Sequence, residues 1–297
     1  MPHLRQYIDK KLSLKAMDLI ALAAPIIERY EADGYAMTLR QVHYQLVAHH
    51  PDQYENTQDN YNRLGDVISD GRMAGLISWT AIEDRVRFLR GSQTWETPDE
   101  ALKDARDSYL TDRWQNQPVR PEIWVEKDAL LGVLERVCTE LGLNYFSCKG
   151  YSSQSELWRA GQRFAGYVQK GQRPIVFYLG DHDPSGLNMV QSNRKKLELF
   201  AGVPIQIVPL AITMEQIKRY EPPPSPVKMK DARTKGYIEE HGIEDCWELD
   251  ALPPDVLIDV VRGAVLRVRD PVLWDEALAK EAADKNDIDE MMENMRS

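Results

Sequence analysis

Three carboxylates in the middle of the chain have positions typical of a metal-binding site. Glu126 follows the apolar run 122–125, and Asp181 and Asp183 follow the apolar run 175–179. Short apolar runs that alternate with helical patterns predict a parallel sheet with crossover helices. Because ligands bind beyond the carboxyl ends of such strands, we expect the three carboxylates to converge on one edge. Hard oxygen ligands favour Mg²⁺, which we predict as the cofactor.

The same acids have a simpler interpretation as helix caps. Acidic and hydroxyl side chains are common near helix N-termini, and Asp128 and Ser185 suit that role. Capping explains one acid at a time, whereas three acids at successive strand ends favour a shared site.

Three short segments carry a family resemblance. They are Val125-Glu126-Lys127-Asp128-Ala129, Lys149-Gly150-Tyr151 and Gly180-Asp181-His182-Asp183-Pro184-Ser185-Gly186. In order and spacing they resemble the Toprim domain. More narrowly, they resemble the version found in the topoisomerase VI A subunit and in the related protein that starts meiotic recombination. The resemblance implies that Glu126, Asp181 and Asp183 hold catalytic Mg²⁺.

A tyrosine near the N-terminus is the candidate nucleophile. On a helical wheel Tyr44 lies roughly 140° from Leu39, which places it away from the predicted core stripe and beside Arg40. An arginine there could stabilise a phenolate and a phosphate. Residues 38–44 are similar to the topoisomerase VI A segment that carries the DNA-cleaving tyrosine, with an arginine four residues before it. The family often has two adjacent aromatic residues at this point, and this chain has His43-Tyr44. The predicted apolar stripe is Leu39, Val42, His43 and Leu46.

The resemblance implies a Mg²⁺-dependent enzyme that breaks DNA strands. Tyr44 would attack a phosphodiester of double-stranded DNA, with Arg40 beside it and Lys127 assisting phosphate binding. A homodimer is implied, because in that family the tyrosine of one subunit works with the acids of the other. The chain lacks a phosphate-loop motif, so any ATPase activity requires a separate subunit. Two alternatives stay open: a Toprim nuclease that hydrolyses DNA with water, and a non-catalytic DNA-binding subunit.

The N-terminal part has the pattern of a winged helix-turn-helix. Helical segments are predicted at 13–33, 39–48 and 58–74, with a kink or break at Pro25. Residues 76–79 and 86–88 could pair as a small hairpin. Such a domain places a recognition helix in a DNA groove.

We therefore predict an α/β protein in four parts. A winged-helix DNA-binding domain spans 1–92, a connector 93–118, a Toprim metal-binding domain 119–215 and a C-terminal helical extension 216–297. Within the Toprim part, strands are expected at 122–125, 144–147, 175–179 and 205–209, with helices at 128–141, 154–170 and 185–200.

The charge and composition permit DNA as a partner but do not require it. The net charge is −10, and residues 216–297 alone hold 12 Lys and Arg against 19 Asp and Glu. Local basic groups remain for DNA phosphates, namely Arg85 to Arg90, Arg194-Lys195-Lys196 and Lys228 to Lys235. No apolar stretch reaches the ~20 residues of a membrane span, and no signal core opens the chain. The protein is expected in the cytoplasm, or at the nucleoid of a prokaryote, with its three cysteines reduced.

Overall fold

The computed structural model describes residues 4–82, 92–148, 154–227 and 233–296. Within these residues the chain forms eleven α-helices and one four-stranded parallel sheet, with a second sheet of two short strands. The predicted α/β class is confirmed. None of these helices is long and apolar enough to cross a membrane.

Three helices make up the N-terminal region, close to their predicted bounds. They are α1 (Leu14–Ala32), α2 (Leu39–His49) and α3 (Gln58–Met73). The side chain of Ser13 caps α1, and Thr38 forms a capping box at the start of α2, as hydroxyl residues do at helix N-termini.

The expected kink or break of α1 at Pro25 is not a break. The helix continues through Pro25, although proline removes a backbone hydrogen bond and costs about 3 kcal/mol in a helix interior. Ala23 and Ile27 flank the proline and are buried in the N-terminal core, so tertiary packing offsets that cost.

The first strand of the predicted wing hairpin is absent, so this part of the prediction is wrong. Residues 76–79 form turns and bends rather than a strand. Met37 instead makes an isolated parallel bridge with Ile82. The second arm at 86–88 and the basic group Arg85 to Arg90 lie outside the described residues.

The central sheet has the order β2-β1-β3-β4, with every pair parallel. The strands are β1 (Val119–Val125), β2 (Asn144–Ser147), β3 (Arg173–Leu179) and β4 (Gln206–Ala211). The crossover helices are α5 (Leu131–Glu140), α6 (Gln154–Gln169) and α7 (Pro184–Ala201), and a 3₁₀ turn at Asp128–Leu130 precedes α5.

Alternate side chains of β1 enter two different cores. Ile123 and Val125 pack on one face with α5, whereas Trp124 packs on the other face with Phe164 of α6. Burial on both faces explains the near-continuous apolar runs that marked these strands in the sequence.

The connector reaches the sheet through α4 (Pro98–Ser108) and is held by the last helix, α11 (Pro271–Arg296). Arg113 forms a mostly buried ion pair with Glu281, with an N–O distance of 2.8 Å. Arg106 pairs with Asp289 at the same distance. Helix α11 therefore holds the segment that leads into β1 by ion pairs.

The chain after β4 runs back over the carboxyl edge of the sheet. A backbone bridge joins Trp247 to His182, which lies between the two candidate metal-binding aspartates. The segment contains α8 (Met214–Tyr220), β5 (Ser225–Pro226), α9 (Thr234–His241), β6 (Asp245–Cys246), a 3₁₀ turn (Leu249–Ala251) and α10 (Pro254–Val268).

Candidate metal and nucleophile site

The three predicted metal-binding carboxylates lie at one edge of the sheet. Strands β1 and β3 are neighbours, and Val125 is level with Leu179 at their carboxyl ends. Glu126, Asp181 and Asp183 follow those ends and line one cavity of about 510 Å³. Parallel pairing alone produces this convergence, because it places equivalent strand ends side by side.

Glu126 is held against the loop that follows β3. Its Oε2 accepts a hydrogen bond from the backbone N–H of Asp181 at 3.0 Å. Burial and repulsion from Asp181 raise the pKa of Glu126 to about 7. Gly180 allows this approach, because a Cβ there would lie 2.4 Å from the Tyr178 ring and 2.8 Å from Glu126 Oε2.

Asp181 joins the sheet edge to the C-terminal segment. Its Oδ1 accepts the backbone N–H of Leu249 at 2.7 Å and lies 3.1 Å from Lys127 Nζ. Burial raises the pKa of Asp181 to about 6, against the lowering effect of Lys127 and the Leu249 N–H.

Asp183 is the N-cap of α7. Its Oδ1 accepts the backbone N–H of Gly186 at 2.6 Å. Asp183 is therefore a helix cap, a role that the sequence analysis suggested for Asp128 and Ser185, which stand in the first turns of their helices. Capping does not account for Glu126, whose oxygen bonds the loop N–H of Asp181.

The chemistry of this carboxylate edge fits a hard divalent cation. The raised pKa values of Glu126 and Asp181 show that their negative charges are poorly compensated. A bound cation would remove that cost, and oxygen ligands are those that Mg²⁺ prefers. In the described part of the chain, no group of three or more His, Cys, Asp or Glu side chains is already arranged to hold a metal ion. Glu126, Asp181 and Asp183 are thus the residues that would hold Mg²⁺, after adjustment of their side chains.

Lys127 provides the positive charge at the centre of the site. Its Nζ lies 2.8 Å from Glu248, 3.1 Å from Asp181 and 3.3 Å from Asp250. Burial lowers the pKa of Lys127, but attraction to Asp250, Asp181 and Glu248 outweighs burial and raises the pKa overall. Lys127 therefore stays charged, and its nearest partners are carboxylates of the protein.

Tyr44 is not on an open helical face, which corrects the helical-wheel prediction. Only 3% of its surface is exposed. The side of α2 that a wheel leaves open is covered by the 3₁₀ turn Leu249–Ala251. Burial and the charge of Glu248 raise the pKa of Tyr44 above its ordinary value.

Arg40 connects α2 to the cavity, as its predicted position beside Tyr44 suggested. Its side chain is 47% exposed and lines the same cavity as the carboxylates. The Nε atom lies 3.5 Å from Glu248 and 3.9 Å from Asp250. Burial lowers the pKa of Arg40, but Glu248, Tyr44 and Asp250 together raise it, so the guanidinium stays charged.

Glu248 and Asp250 were not predicted. Asp250 is 1% exposed, and its Oδ1 has no hydrogen-bond partner among the described residues. In the sequence they stand as alternate acids in Trp247-Glu248-Leu249-Asp250, the same spacing as Asp181 and Asp183. That spacing was the available signal, but the segment was predicted only as part of the C-terminal helical extension.

His182, which stands between Asp181 and Asp183 in the chain, takes no part in the carboxylate edge. It is buried, and its Nδ1 lies 2.9 Å from the Tyr237 hydroxyl. Lys149-Gly150-Tyr151 of the family resemblance and residues 228–232 of the basic segment lie outside the described residues.

The comparisons with known proteins place the chain in no family. No protein-family model matches it, and no curated protein matches it significantly.

Proposed function

We propose that this protein breaks double-stranded DNA by Mg²⁺-dependent transesterification, with Tyr44 as the nucleophile. The observation that supports this most is a set of ion pairs. Arg40, on the same helix as Tyr44, lies 3.5 Å from Glu248, and Lys127 lies 2.8 Å from Glu248 and 3.1 Å from Asp181. The helix of the candidate nucleophile and the candidate metal ligands are thus joined within one chain, whereas the family resemblance implies that the tyrosine of one subunit works with the acids of the other. The Toprim and winged-helix assignments, and the likeness to the topoisomerase VI A subunit, are part of the same proposal.

The protein residues have separate roles in the proposed reaction. Tyr44 forms a bond to phosphorus, the bond from phosphorus to the leaving sugar oxygen breaks, and a phosphotyrosyl link results. Arg40, which opens into the cavity, binds the phosphate through its guanidinium. Mg²⁺ on the carboxylate edge supplies Lewis-acid stabilisation of charge on the phosphate. Lys127 holds Asp181 and Glu248 in place between the two halves of the site.

The proposed partners follow from this chemistry. A cut in both strands of a duplex needs two such sites, so we propose that the protein works as a homodimer on DNA. Coupling to ATP, if strand passage occurs, would require a separate subunit.

A hydrolytic nuclease is the second candidate, because Tyr44 is buried whereas the carboxylates line an open cavity. Hydrolysis would use the carboxylate edge, with water as the nucleophile, and would not need the tyrosine.

Cleavage of supercoiled plasmid separates the candidates. The protein is incubated with plasmid and Mg²⁺, the reaction is stopped with detergent, and the DNA is analysed with and without protease. We expect breaks that carry covalent protein, that disappear in Tyr44→Phe and Asp181→Asn, and that persist in the control Tyr61→Phe, whose ring lies near the same Arg40. Protein-free breaks that survive Tyr44→Phe but not Asp181→Asn would establish the nuclease. DNA binding without any break would leave only the non-catalytic role.

A further inference from the structure

The side chain of Glu126 is fixed through one of its two oxygens. Both hydrogen bonds that it accepts from the described residues go to Oε2. One donor is the backbone N–H of Asp181 at 3.0 Å, and the other is the hydroxyl of Tyr178 at 3.5 Å. The second oxygen, Oε1, receives neither of these bonds and is therefore the oxygen available to a metal ion.

The ring and the hydroxyl of Tyr178 have different surroundings. Tyr178 is the last residue but one of β3, and its buried ring packs in the core that the sheet forms with α6 and α7. A phenylalanine would fill that core with the same ring. The hydroxyl is what distinguishes tyrosine at this position, and a buried hydroxyl needs a hydrogen-bond partner.

Two acceptors lie within reach of the Tyr178 hydroxyl. Glu126 Oε2 is 3.5 Å away, and Met189 Sδ is 3.7 Å away. A thioether sulfur is a weak acceptor, whereas a hydrogen bond to an ionised carboxylate is roughly twice as strong as one between neutral groups. The hydroxyl therefore donates to the ionised form of Glu126, which is the form that binds a cation.

The end of β3 is built so that these two oxygens can meet. The pairing of β3 with β4 shifts between Tyr178 and Leu179, and Leu210 is the extra residue on β4. Such bulges redirect side chains and are common next to functional sites. A Cβ on Gly180 would lie 2.9 Å from the Tyr178 hydroxyl oxygen and 2.8 Å from Glu126 Oε2. A residue without a Cβ leaves the space in which the hydroxyl and the carboxylate approach each other.

We propose that Tyr178 is a positioning residue of the metal site, an inference that rests on the Mg²⁺ site of the proposed function. Its hydroxyl and the Asp181 N–H hold Oε2 of Glu126 and leave Oε1 to bind the cation. Tyr178 does not line the cavity, so it acts only through Glu126. Partners of this kind orient metal ligands, and their loss typically weakens metal binding by about 10-fold to 100-fold.

The affinity for Mg²⁺ tests this role without any cleavage of DNA. Mg²⁺ is titrated in a calorimeter into the full-length protein, which has been freed of metal and of DNA. Tyr178→Phe removes only the hydroxyl, and we expect it to raise the Kd for Mg²⁺ by about 10-fold or more. Glu126→Gln should abolish the same binding and thereby identify the site that is measured.

Tyr167→Phe is the matched control. Tyr167 packs against the same core, but its ring lies beside Arg120 near the start of β1, whereas Glu126 follows the end of that strand. Loss of the Tyr167 hydroxyl should leave the Kd for Mg²⁺ unchanged.

The Mg²⁺ dependence of plasmid cleavage separates positioning from a loss of structure. In Tyr178→Phe the half-saturating Mg²⁺ concentration should rise by about 10-fold, whereas the rate at saturating Mg²⁺ should stay within about 3-fold of the wild type. Damaged packing would give the opposite result, which is a lower maximal rate at an unchanged Mg²⁺ requirement.

Each outcome decides the assignment. An unchanged Kd in Tyr178→Phe, with binding abolished by Glu126→Gln, overturns the role of Tyr178 and leaves the metal site intact. An equal loss of affinity in Tyr167→Phe, or a lower maximal rate at an unchanged Mg²⁺ requirement, makes the effect structural and also overturns that role. Mg²⁺ binding that Glu126→Gln does not change, or no Mg²⁺ binding by the wild type, overturns the proposed metal site and the role of Tyr178 with it.

Discussion

The carboxylate edge and the surroundings of Tyr44 are built in different ways. Glu126, Asp181 and Asp183 reach one place because two adjacent parallel strands end level with each other. Tyr44 reaches the same site because a segment far along the chain folds back and covers α2. The first arrangement depends on local topology, and the second depends on a long-range contact that no local pattern encodes. Lys127 links the two, through Asp181 on one side and Glu248 on the other.

Removing a charge from the carboxylate edge should have the largest effect. Asp181→Asn removes one of the three proposed metal-binding carboxylates. Loss of several kcal/mol of charge stabilisation corresponds to a fall in Mg²⁺-dependent cleavage of about 1,000-fold. Binding of the duplex, measured by fluorescence anisotropy, should change little, because phosphate contacts supply most of the affinity for DNA. Equal losses of cleavage and of duplex binding would contradict the proposal that Asp181 serves cleavage rather than DNA binding.

Removing the link between the two regions should destabilise the fold. Lys127→Met leaves Asp181, Glu248 and the buried Asp250 without their shared cation. Breaking a buried ion pair from one side costs about 3 kcal/mol or more, which urea unfolding would measure.

Lys280→Met is the matched control for that experiment. Lys280 is largely exposed and pairs with Asp284 one turn along α11. Its removal should leave the free energy of unfolding nearly unchanged, because an exposed ion pair contributes little to stability. Equal effects of the two substitutions would show that Lys127 does not hold the regions together.

The metal-free protein should lose stability as the pH rises. Glu126 and Asp181 have pKa values of about 7 and about 6, both above the ordinary values of their side chains. The folded state therefore binds protons more tightly than the unfolded state. The resulting stabilisation of the folded state is complete below pH ~4.5 and is lost as the pH passes through the raised pKa values. Between pH 5 and 8 we expect a loss of roughly 2 kcal/mol, measured by urea unfolding without Mg²⁺.

Two further measurements sharpen the pH prediction. Glu126→Gln should flatten the dependence, because the substituted side chain does not titrate. Mg²⁺ at pH 8 should raise the free energy of unfolding of the wild type more than that of the variant. A wild-type curve with the same slope as that of Glu126→Gln would assign the pH dependence to other groups.

Adding a methyl group at Gly180, just after the end of β3, should have the smallest effect. Gly180→Ala places a methyl group within 2.8 Å of Glu126 Oε2 and against the Tyr178 ring, so one of them must move. We expect a destabilisation of about 1–3 kcal/mol and weaker Mg²⁺ binding in calorimetric titration. Gly166→Ala is the control, since nothing lies within 4 Å of its added Cβ, and alanine in a helix should stabilise slightly.

The sequence was sufficient for the sheet and for the place of its acids. The strand 144–147 was predicted to the residue, and β3 and α7 were predicted within two residues at each end, because apolar runs and capping residues mark them. Their parallel pairing then determined where Glu126, Asp181 and Asp183 meet.

The surroundings of Tyr44 could not be predicted from the sequence, for a physical reason. A helical wheel ranks the faces of α2 by their own residues, and it contains no information on what packs against them. The 3₁₀ turn Leu249–Ala251, which packs against α2, belongs to a segment that Trp247 joins to His182 by a backbone bridge. The same limit applies to Pro25, where burial of its neighbours in the core overrides a local preference.

The most direct test of the proposed function is to locate the covalent link on the protein. The full-length protein is incubated with a short duplex and Mg²⁺, denatured, and digested with nuclease and protease, and the modified peptide is identified by mass spectrometry. We predict a nucleotide attached through phosphate to the oxygen of Tyr44, and no such peptide when Asp181→Asn is used. A nucleotide attached to any other residue, or broken DNA with no nucleotide on the protein, would contradict the proposal.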